Sequence, residues 1–151
     1  MLNAQDIPDA ILGLGKVIAV FGRWPTFHDA EVLSIELVRD EGRPLTSPVC
    51  TVAVCPMGEP GAPQSVGPVV TLRFYDVNDL QLAGFHHQNP ILGLTIVTCD
   101  VARKPHPLSS HVYDVTFRGV HEGAFAIAFT CSRVEVVSVA ALAGTPLAAQ
   151  E

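Results

Sequence analysis

Between Val69 and Val77 the chain alternates one residue at a time, with Leu72 and Phe74 on one side and Thr71, Arg73 and Tyr75 on the other. A repeat of two fits an extended strand, whose successive side chains point to opposite faces, and defeats the 3.6-residue repeat of a helix. The pattern recurs. Glu31 to Arg39 sets Leu33, Ile35 and Leu37 against Ser34 and Glu36, which predicts a half-buried strand. Val49 to Val54, Leu80 to Phe85, the apolar run Ile91 to Cys99, Val112 to Phe117 and Arg133 to Val139 read the same way. From Ala124 to Cys131 the large residues Phe125, Ile127 and Phe129 share a face. Cys131-Ser132 leaves open whether 124–139 is one bulged strand or two.

Breakers separate these runs. Asp40-Glu41-Gly42-Arg43-Pro44 ends one strand, and Gly119-Val120-His121-Glu122-Gly123 has turn composition. The prolines of Pro56 to Pro63 cannot donate to a ladder and predict a loop. One short helix is expected near the N-terminus, entered through Asp6-Ile7-Pro8-Asp9, continuing into Ala10-Ile11-Leu12 and stopped by Gly13 and Gly15. The fold class that follows is mainly β, an antiparallel curved sheet or sandwich of about seven to eight strands with one short N-terminal helix.

With 151 residues, 48% of them hydrophobic, the chain can bury about two-thirds of its surface and build a core without staples. It reads as a single domain over 1–151, with a folded core at 5–139 and a frayed tail at 140–151. Charged residues are 16%, below the roughly 25% of an average soluble protein, which leaves room for an apolar contact patch. The formal charge of −6, with no basic run, would repel phosphate backbones and argues against nucleic-acid binding. The apolar stretch from Ala10 to Phe21 is too short to span a bilayer, and no secretory signal opens the chain. Cys50 and Cys55, five apart, would lie on opposite faces of a strand. With Cys99 and Cys131 they are expected as buried, reduced thiols, which points to the cytoplasm.

Three polar clusters stand out. The first, Phe21-Gly22-Arg23-Trp24-Pro25-Thr26-Phe27-His28-Asp29-Ala30-Glu31, holds the only Trp. His28 and Asp29 could form a proton-transfer pair, but on a strand adjacent side chains diverge. Trp24 and Phe27 would then anchor the chain as it enters the sheet, while His28 and Asp29 bond loop backbone. The second is Gly84-Phe85-His86-His87-Gln88-Asn89-Pro90, where neighbouring histidines on extended backbone do not converge on one ion, so no metal is assigned. In the third, Asp76-Val77-Asn78-Asp79, the spacing lacks the further oxygens of a calcium loop, and a turn is expected. Neither a nucleophile elbow nor a phosphate-binding glycine loop is present, so no catalytic residue and no cofactor are assigned.

The run from Phe21 to Val32, the strand Val70-Thr71-Leu72-Arg73-Phe74-Tyr75-Asp76-Val77, the block Leu82 to Asn89 and the strand Cys131 to Val139 together resemble the immunity protein 50 family of bacterial polymorphic toxin systems. The resemblance spans about residues 17 to 139 and is most specific in Trp24-Pro25-Thr26-Phe27-His28-Asp29-Ala30-Glu31-Val32. The chain departs from the family pattern in a Pro-rich insertion near Gly58 to Pro68 and in the small residues of Ala124 to Ala128. The resemblance implies a cytoplasmic, non-enzymatic protein that binds and neutralises a cognate protein toxin by occlusion, and the acidic balance suits a basic partner. Candidate contact residues are Arg23, Trp24, His28, Asp29, Glu31, Arg73, Asp76, His86, His87 and Asn89. The alternative is a small-ligand-binding or hydrolytic β domain using His28, Asp29 and His86 in a pocket.

Overall fold

The computed structural model describes residues 11–39, 48–56, 67–98 and 113–140. Two four-stranded antiparallel sheets carry the chain. Sheet A has the order β1-β2-β3-β8, from β1 (Glu31–Val38), β2 (Val49–Cys55), β3 (Val69–Tyr75) and β8 (Arg133–Ala140). Sheet B has the order β4-β7-β6-β5, from β4 (Asn78–Ala83), β5 (Ile91–Thr98), β6 (Tyr113–Gly119) and β7 (Ala126–Cys131). The mainly-β expectation with eight strands holds, as two stacked sheets.

Alternation explains the stacking. In sheet A, Cys50, Val52 and Val54 of β2 and Val70, Leu72 and Phe74 of β3 are buried; in sheet B, Val115 and Phe117 of β6 and Ile127 and Phe129 of β7 are buried. Phe74 bridges the two layers, meeting Phe129 edge-to-face at 4.9 Å between ring centroids and Phe117 at 6.1 Å. Burial of one such ring stabilises by about 2–3 kcal/mol.

Three sequence expectations change. The helix α1 is Leu14–Phe21, beyond the glycines expected to stop it. Gly13 has φ 75° and acts as its N-cap, because the apolar residues before it serve a strand instead. Leu12 donates its N–H to the Val134 carbonyl (3.0 Å) and accepts from the Val136 N–H (2.7 Å), extending sheet A at its β8 edge. Val17 is buried, with Leu14 and Phe21 beside it on a stripe of helical spacing. Residues 6–10, where that helix was expected to begin, lie outside the described residues, as do Cys99, most of the proline-rich loop and the tail beyond Ala140.

The second change is in β1. A bulge between Val32 and Ser34 breaks the alternation, so that Val32, rather than Leu33, is buried. Ile35 stays partly buried against the core, but Leu33 is 40% and Leu37 46% exposed, because β1 is an edge strand. Thirdly, 124–139 resolves into two strands in different sheets, and the chain changes layer at Ser132. There the Ser132 N–H donates to the Tyr75 carbonyl (2.9 Å) and its hydroxyl to the Asp76 carboxylate. The β3-to-β4 crossing at Asp76 and the β7-to-β8 crossing at Ser132 are thus tied at one corner.

The described cysteines, Cys50, Cys55 and Cys131, are buried. Burial pushes the Cys50 thiol up to about 12 from 9.0.

Candidate functional site

The opposite end of the sandwich gathers the loop before β1, the β4–β5 loop and the β6–β7 turn. In the first of these, Phe27 and Asp29 both have left-handed backbone, with φ 57° and 61°. That conformation is disfavoured for residues with a side chain, by about 1 kcal/mol or more each, and persists only where the surroundings hold it. The Ala30 N–H donates to the Phe27 carbonyl (3.1 Å) and the Asp29 N–H to the Ile91 carbonyl (2.9 Å). Phe27 and Ala30 are buried, and Trp24 packs edge-to-face on Phe27 at 5.3 Å, so the expected aromatic anchor is present.

The two left-handed residues also turn His28 and Asp29 outward together. Their side chains pair, Nδ1 to Oδ2, at 3.1 Å and are 60% and 63% exposed. This corrects the expectation that they diverge: the strand starts only at Glu31, and divergence holds only for extended backbone.

The second polar cluster lies directly against the first. Ile91 donates its N–H to the Ala30 carbonyl (3.0 Å), and Val32 donates to the Asn89 carbonyl (3.0 Å). Asn89, only 2% exposed, is the hub. Its Oδ1 accepts from the His86 N–H (2.6 Å), its Nδ2 donates to the carbonyls of His86 (2.8 Å) and Val32 (3.3 Å), and its own N–H donates to Glu31 Oε1 (2.8 Å). Asn89 and Glu31 therefore shape the loops from within. His86 and His87 are exposed beside them.

Sequence reasoning missed two contributors. Phe85 is 49% exposed, yet its ring lies edge-to-face on buried Phe125 at 5.9 Å, presenting the other side to solvent. Gly84 (φ 67°) lies so close to the next turn that an added Cβ would sit 2.7 Å from the Ala124 carbonyl. This contact brings exposed His121 and Glu122 to the same end. The signal for Phe85 was present in the sequence, as an aromatic directly after a glycine within a polar block. For His121 there was none beyond turn composition.

Arg23 is exposed in the same loop as Trp24. Arg73 and Asp76 are not brought to this end. Arg73 lies on the outer face of sheet A, opposite Glu135 and donating from Nε to Thr51 Oγ1 (3.4 Å). Beside it the Arg133 guanidinium sits 3.9 Å over the Tyr75 ring, whose hydroxyl donates to Glu135 (2.5 Å). Asp76 is at the crossover corner, six residues along from Val70 and so about 20 Å from the loop end at strand rise.

Among the described residues no three His, Cys, Asp or Glu side chains are grouped to hold a metal ion. A groove of about 760 Å³ crosses the outer face of sheet B, lined by residues that include Asp79, Gln81, Asp114 and Thr130. His28, Asp29 and His86 are absent from its lining, so it gives the small-ligand alternative no pocket at the residues that reading requires. What the loop end offers is an exposed surface of imidazoles, a carboxylate and two aromatic rings on a hydrogen-bonded base.

No helix among the described residues is long and apolar enough to cross a membrane. Comparison with known proteins finds no matching curated protein and no matching solved structure. The family model described as Immunity protein 50 matches residues 14–142.

Proposed function

The chain belongs to the Immunity protein 50 family, and from that premise we propose that it binds a cognate toxin protein in the bacterial cytoplasm and neutralises it by covering its active surface. The family match carries the toxin partner. The seam that joins residues 28–32 to 86–91 carries the choice of surface, because it unites two clusters far apart in sequence on one exposed end. Trp24, His28, Asp29, Phe85, His86 and His87 supply the contacts, with aromatic rings for buried area and polar groups for register. Glu31 and Asn89 hold these loops in shape. The chain's formal charge of −6 supports a basic partner, which it would draw in by long-range attraction.

Co-expression with the protein encoded by the adjacent reading frame tests the reading. The wild-type chain should restore growth and copurify with that protein. Joint replacement of His28, His86 and His87 by Ala and of Asp29 by Asn, which suits its left-handed backbone, should abolish both effects without lowering the melting temperature, since all four side chains are exposed. A wild-type chain that neither rescues growth nor copurifies refutes the toxin reading. A quadruple variant that still does both refutes the surface.

A further inference from the structure

The edge of β1 carries a second contact, of a different kind. Antiparallel strands point alternate backbone groups toward and away from each neighbour. Val32 turns away from β2, since its N–H and carbonyl bond Asn89 instead. Val32 lies opposite Val54, and after the bulge Ile35 lies opposite Val52 and Leu37 opposite Cys50. These partners alternate along β2, so the N–H and carbonyl of Ile35 and Leu37 also face away from it. No described residue takes them up.

The far edge of the same sheet is treated differently. Leu12 bonds along β8, and Lys16 Nζ donates to the Val137 carbonyl (3.1 Å) at the bulge there. In sheet B, β4 is short and bulged, with Asp79 left-handed. An open edge invites pairing with another chain, and proteins ordinarily cover, bend or charge it; beyond its bulge at Leu33, β1 is regular from Ser34 to Val38. β1 keeps Leu33, Leu37 and Val38 exposed along its open side and has one charge, Glu36, between its two outward-facing residues.

We propose that this edge receives an extended segment of the cognate toxin, added as a fifth strand to sheet A, with a basic residue facing Glu36 and apolar residues flanking it over Ile35 and Leu37. The proposal rests on the toxin-binding reading and adds a mode of recognition, with backbone bonds for affinity and alternate side chains for specificity. A second copy of this chain fits less well. Pairing that used both outward residues of each strand would set Ile35 against Leu37 of the copy and Glu36 against Glu36, and like charges directly opposite are destabilising. The edge begins at Glu31, where the loop surface ends, so one partner can cover both.

The test uses the full chain and the protein from the adjacent reading frame. Amide exchange at Ile35 and Leu37 should slow at least tenfold on complex formation. Leu37→Pro removes an outward N–H while leaving the ladder to β2, and Glu36→Lys reverses the facing charge without touching the backbone. Each should weaken binding at least tenfold. Unchanged exchange at both amides, or full affinity in both variants, overturns the proposal while leaving the toxin reading intact. A chain that is dimeric before toxin is added, with Ile35 and Leu37 already protected, overturns it in favour of self-pairing. Failure of the wild-type chain to bind at all removes the toxin reading itself.

Discussion

Replacing Asn89 by Ala tests the claim that one buried amide holds the loop surface. Three side-chain bonds would be lost: from the His86 N–H, to the His86 carbonyl and to the Val32 carbonyl. A typical bond contributes a net 1 kcal/mol or so, and a buried group left unpaired costs more. His86 is exposed, so water can recover its two groups, whereas the Val32 carbonyl belongs to a buried residue. The expected loss is about 2–3 kcal/mol, which for a domain of this size lowers the melting temperature by roughly 5–10 °C. Asn89→Asp sharpens the test, because it keeps the acceptor for the His86 N–H but points a carboxylate oxygen at two carbonyls. Its folded-state pKa would be raised by that repulsion, so the variant should be less stable than Asn89→Ala at pH 8 and recover as the pH falls and the group gains a proton. Circular-dichroism melts of the three proteins at pH 5 and pH 8 measure this. An Asn89→Ala melt within about 1 °C of wild type, or an Asn89→Asp variant indifferent to pH, would show that the loops are held by something else.

Other outcomes follow from the packing. Gly84→Ala places a methyl carbon 2.7 Å from the Ala124 carbonyl at a φ of 67°; it should lower stability by about 1–3 kcal/mol and weaken toxin binding, read by melting and by titration. Phe74→Ala removes the ring that touches both Phe117 and Phe129, and a urea melt should show a loss of about 3–5 kcal/mol. Cys50, with its pKa raised from 9.0 to about 12, should resist a thiol-specific disulfide reagent at pH 8 until the protein unfolds. Because its thiolate is disfavoured in the folded state, the stability it contributes is full below 9 and lost between 9 and about 12. The free energy of unfolding should therefore fall more steeply with pH across that window for wild type than for Cys50→Ala.

Much of this fold was legible in the residues because strand alternation is a local property. Leu72 with Phe74, and Phe125 with Ile127 and Phe129, are buried on the faces their spacing predicts. Legibility failed where the backbone leaves the extended form. The bulge at Leu33 reassigned one residue of an apparently regular face, and the left-handed Gly13 turned an expected stop into a start. The same cause hid the His28–Asp29 pair, since two left-handed residues cannot be inferred from a Phe and an Asp, neither of which requires them. The meeting of the two loop clusters was illegible for another reason: the bonds between Val32 and Asn89 span 57 residues, and no local pattern records a distant partner. Asn89, polar and before a proline, fits either a turn former or an amide bonding backbone; the structure bears out the second, while its burial is a property of the assembled sandwich.

The layer change at Ser132 sets the order in which the molecule can be completed. Sheet A begins with the first three strands but is closed by the last one, whose Glu135 meets Tyr75 across 60 residues of chain. The whole of sheet B is made in between. The N-terminal Leu12 then finds its only described backbone partners on that same final strand. A nascent chain that has not yet released Ala140 from the ribosome therefore has an open β3 edge, an undocked helix and a core without Val134 and Val136. A product cut before Arg133 would carry the same defects.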